Sequence, residues 1–184
     1  MQVDYIDKMG SDLTVVNAAR VSYAKTKELM DAKDEKLIKF LAEHNHWSPF
    51  GHASIQFRIK APIFVARQLV KHQVGLVWNE VSRRYVDYQP ELYEPKQWRG
   101  RPKNSKQGSD GEIELDKNEQ FRLKNTMEQC LIIYNSLIEM NVAPEQARMV
   151  LPQSMMTEWY WSGTLYAFAR VCQLRCAKDT QEET

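Results

Sequence analysis

Apolar positions along the chain change their period several times, and each change predicts an element. Ser11 and Asp12 open a stretch where Leu13, Val16, Ala19 and Val21 fall at mixed helical spacings, so a helix with one of the two as N-cap is predicted. A second helix is predicted through residues 34–45, with Leu37, Ile38, Phe40 and Leu41 as its buried stripe. The period then drops to two. Ala53, Ile55, Phe57 and Ile59 alternate with Ser54, Gln56, Arg58 and Lys60, which predicts a half-buried strand. Pro62 suits a helix's first turn, and residues 63–72 continue as a largely apolar helix interrupted by Arg67, Gln68 and Lys71. Residues 86–111 hold three prolines and three glycines without a steady period, and read as a long surface loop. A long amphipathic helix is predicted from about Gly111 to Met140, with Phe121, Met127, Leu131, Tyr134, Leu137 and Ile138 facing inward. Pro144 starts another helix that Pro152 stops. The aromatic-rich stretch from about Thr157 to Arg175 reads as the last helix.

Helices dominate this pattern, with one or a few strands, so the fold class is α/β or α+β. At 184 residues the chain has the length of one domain, 1–184, and can bury a real core. No apolar run reaches the roughly 18 residues a membrane helix needs, and the N-terminus shows no secretory signal. Net charge is +1, so any anion site must come from local clustering. Cys130, Cys172 and Cys176 are an odd number and point to a reduced, cytoplasmic setting (host cytoplasm for a viral chain), with small buried or half-buried thiols.

The densest polar cluster is residues 67–85, with Arg67, Lys71, His72, Arg83 and Arg84 around Glu80 and Ser82. Guanidinium groups beside a serine suit a phosphate monoester, because guanidinium binds phosphate through two parallel hydrogen bonds. A solvated helix face with pairs such as Glu80 and Arg83 is the plainer alternative. Arg67, Gln68 and Lys71 weaken that alternative by interrupting an apolar segment, where burial is costly without a partner. A second group, His44, His46 and His52 around Ser48, reads as turn chemistry or cofactor contact; no thiol or carboxylate spacing completes a metal site. Between Lys96 and Lys106 stand five cations and Trp98, which fits a mobile loop or a nucleic-acid contact.

Together these residues resemble the flavin-dependent thymidylate synthases. That family's hallmark is Arg-His-Arg, seven or eight residues, then Ser, with Asn-Glu before the Ser and Arg-Tyr after it. Here Lys71-His72-Gln73 is followed by eight residues and Ser82, within Asn79-Glu80-Val81-Ser82-Arg83-Arg84-Tyr85. The resemblance extends to residues 11–23, 46–52, 60–68 and 147–152, and to Leu174-Arg175. It implies a helix-rich single domain with a small, mainly antiparallel sheet, assembled as a homotetramer with active sites at subunit interfaces. It also implies methylation of dUMP to dTMP, with FAD as bound carrier, methylenetetrahydrofolate as one-carbon donor and NADPH as reductant. By position, dUMP would meet Gln68, Lys71, Glu80, Val81, Ser82, Arg83, Arg84, Arg148 and Arg175. FAD would meet His46, Ser48, Lys71, His72, Gln73, Glu80, Thr164, Leu165, Tyr166 and Arg170. Arg175 matches the residue that polarises the uracil ring, a role physics supports because a guanidinium stays charged at any working pH. Ser82 reads as a hydrogen-bonding group rather than a nucleophile, since no His or Lys stands at an evident spacing to serve as its base.

The chain departs from the family pattern at several positions, among them Thr164 and Tyr166, which stand where family members have Asn and Arg. Gln73 supplies no charge where the family has Arg, and Lys71 offers a point charge instead of a fork. Arg170 stands where the family has Asn, and can replace the lost charge. These changes leave room for hydroxymethylation of dUMP or dCMP on the same fold. A protein binding nucleic acid through residues 96–106 is the reading from a different class.

Overall fold

The computed structural model describes residues 1–86, 88–103, 108–177 and 180–184. Among them the strands are, in chain order, β1 (Gln2–Met9), β2 (Ser54–Pro62), β3 (Leu76–Glu80), β4 (Trp98–Gly100), β5 (Asp110–Ile113) and β6 (Met156–Thr164). Four of them form the central antiparallel sheet, in spatial order β1-β2-β6-β3, and β4 pairs with β5 as a separate two-stranded sheet. The helices are α1 (Asp12–Arg20), α2 (Ala32–Glu43), α3 (Ile63–Leu69), α4 (Lys117–Glu139), α5 (Pro144–Ala147) and α6 (Leu165–Arg175). No helix among the described residues is long and apolar enough to cross a membrane.

The alternation predicted around Phe57 is β2, and Ser11 caps α1 through a reciprocal box with Thr14. The largest departure lies at the C-terminal end. Residues 157–164 are not helix but part of the sheet's strand β6, paired on one side with β2 and on the other with β3. Thr157, Trp159 and Trp161 are buried, while Glu158 and Tyr160 between them are not. That is a period of two, masked in the sequence by aromatic residues on both faces. Thr164 then caps α6, its hydroxyl accepting from the Ala167 amide at 3.2 Å.

Other expectations shift by less. The long helix starts at Lys117, and Phe121 points to solvent rather than inward. The segment begun by Pro144 is one turn of α-helix followed by a 3-10 turn over Arg148–Val150. Within 86–111 the middle, β4, pairs with β5 at the far end, so part of that excursion is strand. Phe40 is exposed, and on α2 the fully buried residues are Leu41 and Asp34.

Asp34 is a buried carboxylate with complete partners. Arg20 and Lys27 each donate to it at 2.5 Å, and the Asp31 amide at 3.0 Å. First the Lys27 hydrogen bond and then the Arg20 one, against the opposing cost of burial, hold its carboxyl far below the usual carboxylate range. This cluster ties α1 to the start of α2.

The main core lies on one face of the sheet, where Ile59, Trp159 and Trp161 pack against Val65, Ala66 and Leu69 of α3 and Val171 of α6. Helices α3 and α6 therefore sit side by side on that face. Their C-terminal ends carry His72, just past α3, and Arg175.

Candidate functional site

Two clefts flank β3. The first, about 550 Å³, opens between the turn after α3 and the side of α6. Its wall is apolar where Trp47, Val74, Leu76, Val171 and Leu174 contribute, and cationic where Lys71 and Arg170 reach it. Trp47 and Tyr166 face each other with ring centroids 5.5 Å apart, and the Arg170 guanidinium lies 5.9 Å from the Tyr166 ring centre. Gly75 takes a φ of +76°, and a Cβ there would stand 3.2 Å from that of Ala167. A larger residue would close the cleft floor.

The second cleft, about 510 Å³, lies at the other end of β3. Glu80, Val81, Arg83, Arg148, Thr157 and Glu158 line it, with Tyr88 and Glu145 at its margin. Arg83 is 6% exposed, its guanidinium 4.6 Å from the Tyr88 ring centre and hydrogen-bonded to the Tyr88 carbonyl. Lys60 pairs with Glu91 on the opposite wall.

A hydrogen bond links the turn after α3 to the end of α6. Arg175 donates through Nε to His72 Nε2 at 2.9 Å, across 103 positions of sequence. An imidazole nitrogen that accepts carries no proton, so the His72 proton sits on Nδ1 and the ring is neutral. Burial, and then the adjacent Arg175 charge, push the His72 pKa below the usual imidazole value. The guanidinium is thereby anchored by one nitrogen and keeps its two terminal amino groups.

A family model described as thymidylate synthase complementing protein matches residues 4–184. The flavin-dependent thymidylate synthase of Kosmotoga olearia is 43% identical over 180 residues, covering 97% of this chain and 77% of that protein. The chain belongs to the flavin-dependent thymidylate synthase family. A relative of the same name from Thermus thermophilus is 41% identical over 182 residues, and the chain spans 66% of its length. The fold agrees: the crystal structure of a UMP/dUMP methylase, PolB from Streptomyces cacaoi, bound with 5-Br dUMP superposes with a TM-score of 0.82. It is 32% identical, and the match covers 95% of this chain and 77% of that one.

The family's expected site residues divide between the clefts. Lys71, His72, Gln73, Thr164, Tyr166 and Arg170 line the first. Leu165 is beside them at the start of α6, and Ser48 follows Trp47 in a 3-10 turn over Ser48–His52. His46 stands edge-on to Phe40 and His44. Glu80, Val81, Arg83 and Arg148 line the second cleft, so Glu80 is parted from the other residues expected at the flavin. Ser82 accepts from the Arg84 amide at 3.3 Å and Arg84 Nε at 3.4 Å, and Gln68 accepts from the Thr184 hydroxyl at 3.0 Å. Sequence reasoning missed Trp47, Gly75 and Leu76 in the first cleft and Glu145 and Thr157 in the second. Only Gly75, mid-cluster, had a visible signal.

The cysteines differ from expectation too. Cys130 is half-buried, but Cys172 and Cys176 are exposed residues on and just past α6. Partial burial of its sulfur, and then Cys176 beside it, push the Cys172 thiol up, away from a thiolate. Of the cations between 96 and 106, Arg99 is engaged by Glu183 and Ser109, and Trp98 is half-buried in the wall of a third cleft. Lys106 lies outside the described residues.

Proposed function

We propose that this chain is one catalytic domain that methylates dUMP to dTMP, with FAD as bound carrier, methylenetetrahydrofolate as one-carbon donor and NADPH as reductant. The observation that carries the reading is the Arg175–His72 contact, which ties a guanidinium to a histidine in the wall of a tricycle-sized cleft. The residues fit a flavin: an apolar wall with two facing aromatic rings for the ring system, Lys71 and Arg170 for a diphosphate, and a glycine floor. Arg170 takes over charge that Gln73 lacks.

A flavin held there would supply two-electron redox chemistry between NADPH and the one-carbon unit. Everything else falls to the protein. Lys71 and Arg170 neutralise diphosphate, and Trp47 and Tyr166 exclude water. Arg83, buried against Tyr88, and Arg148 present positive charge to a nucleotide in the second cleft. Arg175 lies beside the first cleft, so it meets a uracil ring where a second copy brings its nucleotide cleft against this one, and there it stabilises the negative charge that develops as C5 becomes nucleophilic. His72 holds Arg175 without competing for a proton.

Assembly as a homotetramer, with sites completed at subunit interfaces, is supported by apolar surface. Val3 and Tyr5 pair with Ile59 and Phe57, so they share the sheet's packed face, yet they are 65% and 56% exposed. A second copy covering such a face brings its own clefts near these. The free cysteines suit the cytoplasm.

Two measurements test the proposal. Purified protein should be yellow with a flavin absorption band, and incubation with dUMP, methylenetetrahydrofolate and NADPH should yield dTMP. Colourless protein that takes up no added FAD overturns the cofactor. A hydroxymethylated product without dTMP establishes the alternative reaction on the same site, which the Lys71-His72-Gln73 departure motivates.

The His72 contact adds a pH dependence. Its pKa lies below about 6.5, so the ring is neutral at pH 7 and protonates only as pH falls further. Protonation removes the acceptor and sets two cations side by side. The acid limb of kcat/KM should therefore fall below about pH 6.5 and vanish in His72→Gln, which keeps an acceptor that does not titrate. An unchanged acid limb in that variant excludes His72 as its source.

A further inference from the structure

We infer that Trp78 and Thr157 are positioning residues that fix the Glu80 carboxylate for the nucleotide, an inference that rests on the dUMP reading above. Strands β3 and β6 pair with Trp78 opposite Trp161 and Glu80 opposite Trp159. Side chains two apart share a face, so Leu76, Trp78 and Glu80 of β3 lie alongside Thr157, Trp159 and Trp161 of β6. This face is apolar along most of its length and ends at the second cleft in a carboxylate.

That carboxylate is gripped from both strands. Thr157 Oγ1 donates to Glu80 Oε1 at 2.7 Å, and Trp78 Nε1 donates to Oε2 at 3.1 Å. Neither donor can drift. The Trp78 ring stacks on Trp159 at 4.3 Å and 18°, and meets Trp161 edge-on at 5.7 Å. Trp159 is 1% exposed and Thr157 7%. The next residue is tied down as well, its Val81 amide donating to the Glu158 carbonyl at 2.9 Å.

A glutamate at the exposed end of a strand ordinarily samples many rotamers. Here each oxygen has one fixed donor and keeps its remaining lone pairs for the cleft. A pyrimidine nucleotide offers suitable donors, the imide N–H of the base and the hydroxyl of the sugar. Glu80 thus meets its ligand already oriented, and the ordering cost falls on folding rather than on binding. Since an orientation used equally in the bound state and the transition state changes KM rather than kcat, the two constants should separate.

The test pairs calorimetric titration of the holoenzyme with dUMP and steady-state kinetics. Thr157→Val keeps shape and removes the donor; Trp78→Phe keeps an aromatic stack and removes the N–H; Thr157→Ser restores a hydroxyl. Loss of one hydrogen bond to a charged group should raise Kd and KM for dUMP about tenfold in each of the first two variants. Values of kcat should stay within about twofold, and Thr157→Ser should bind within about twofold of wild type. Thermal midpoints check that each variant is folded, and Thr157→Val decides alone if Trp78→Phe is not. Unchanged dUMP binding in Thr157→Val, or failure of Thr157→Ser to restore it, overturns the positioning role. Absence of dUMP binding by wild type instead overturns the nucleotide reading, and this inference with it.

Discussion

Arg175→Ala should lower turnover of dUMP by at least about a hundredfold while the protein remains folded and yellow. Removing one preorganised donor from a developing negative charge commonly costs about 10²–10³ in rate. Arg175 is half-buried at the last turn of α6, its Nε committed to His72 and its carbonyl accepting from the Thr180 hydroxyl at 2.9 Å. None of the core residues of the sheet packs through it, so little stability is at stake. Arg175→Lys should recover only part of the loss, because an ammonium lacks the geometry to bond His72 and substrate together. Single-turnover product formation measures the effect, with flavin absorbance and thermal unfolding as controls. A variant that methylates dUMP within a few-fold of wild type removes Arg175 from the chemistry.

The second large effect is on stability. Trp159 is 1% exposed at the middle of β6, stacked on Trp78 and surrounded by residues of α3 and α6. Trp159→Ala should cost about 3–5 kcal/mol, since truncating a buried indole loses transfer energy and leaves a cavity. In a chain of this size each kcal/mol moves the midpoint by about 2–4 °C, so a fall on the order of 6–20 °C is expected. Urea or thermal unfolding followed by tryptophan fluorescence measures it. A loss under about 1 kcal/mol would mean that the sheet face is not the core.

Legibility in the sequence follows burial. Strand β2 is readable because one face is buried and the other polar, and α1 because Ser11 and its neighbours combine a cap with an apolar spacing. Strand β1 is not, because almost nothing along it is buried and a bulge between Tyr5 and Asp7 breaks its alternation. Strand β6 reads as helix because Tyr160, on the open face, is as aromatic as Trp159 and Trp161. Strand β3 hides inside the polar cluster, whose charges draw attention away from Leu76 and Trp78. The site itself is legible as residue types: Lys71, His72, Gln73, Thr164, Tyr166 and Arg170 do gather in one cleft. That they gather opposite Trp47, and that Glu80 opens onto a different cleft, depends on pairings between segments far apart in the chain, which local patterns do not encode.

Those distant pairings bear on how the protein matures. Strand β2 can pair with β1 as soon as both are made, but β3 has β6 as its partner, and Arg175 arrives later still. A nascent chain emerging from the ribosome therefore carries Lys71, His72 and Glu80 for a long interval with no partner strand between them. Only after Met156–Thr164 has been made can the middle of the sheet zip shut. A chain stopped short of that point lacks both the partner strand of β3 and the guanidinium that meets His72.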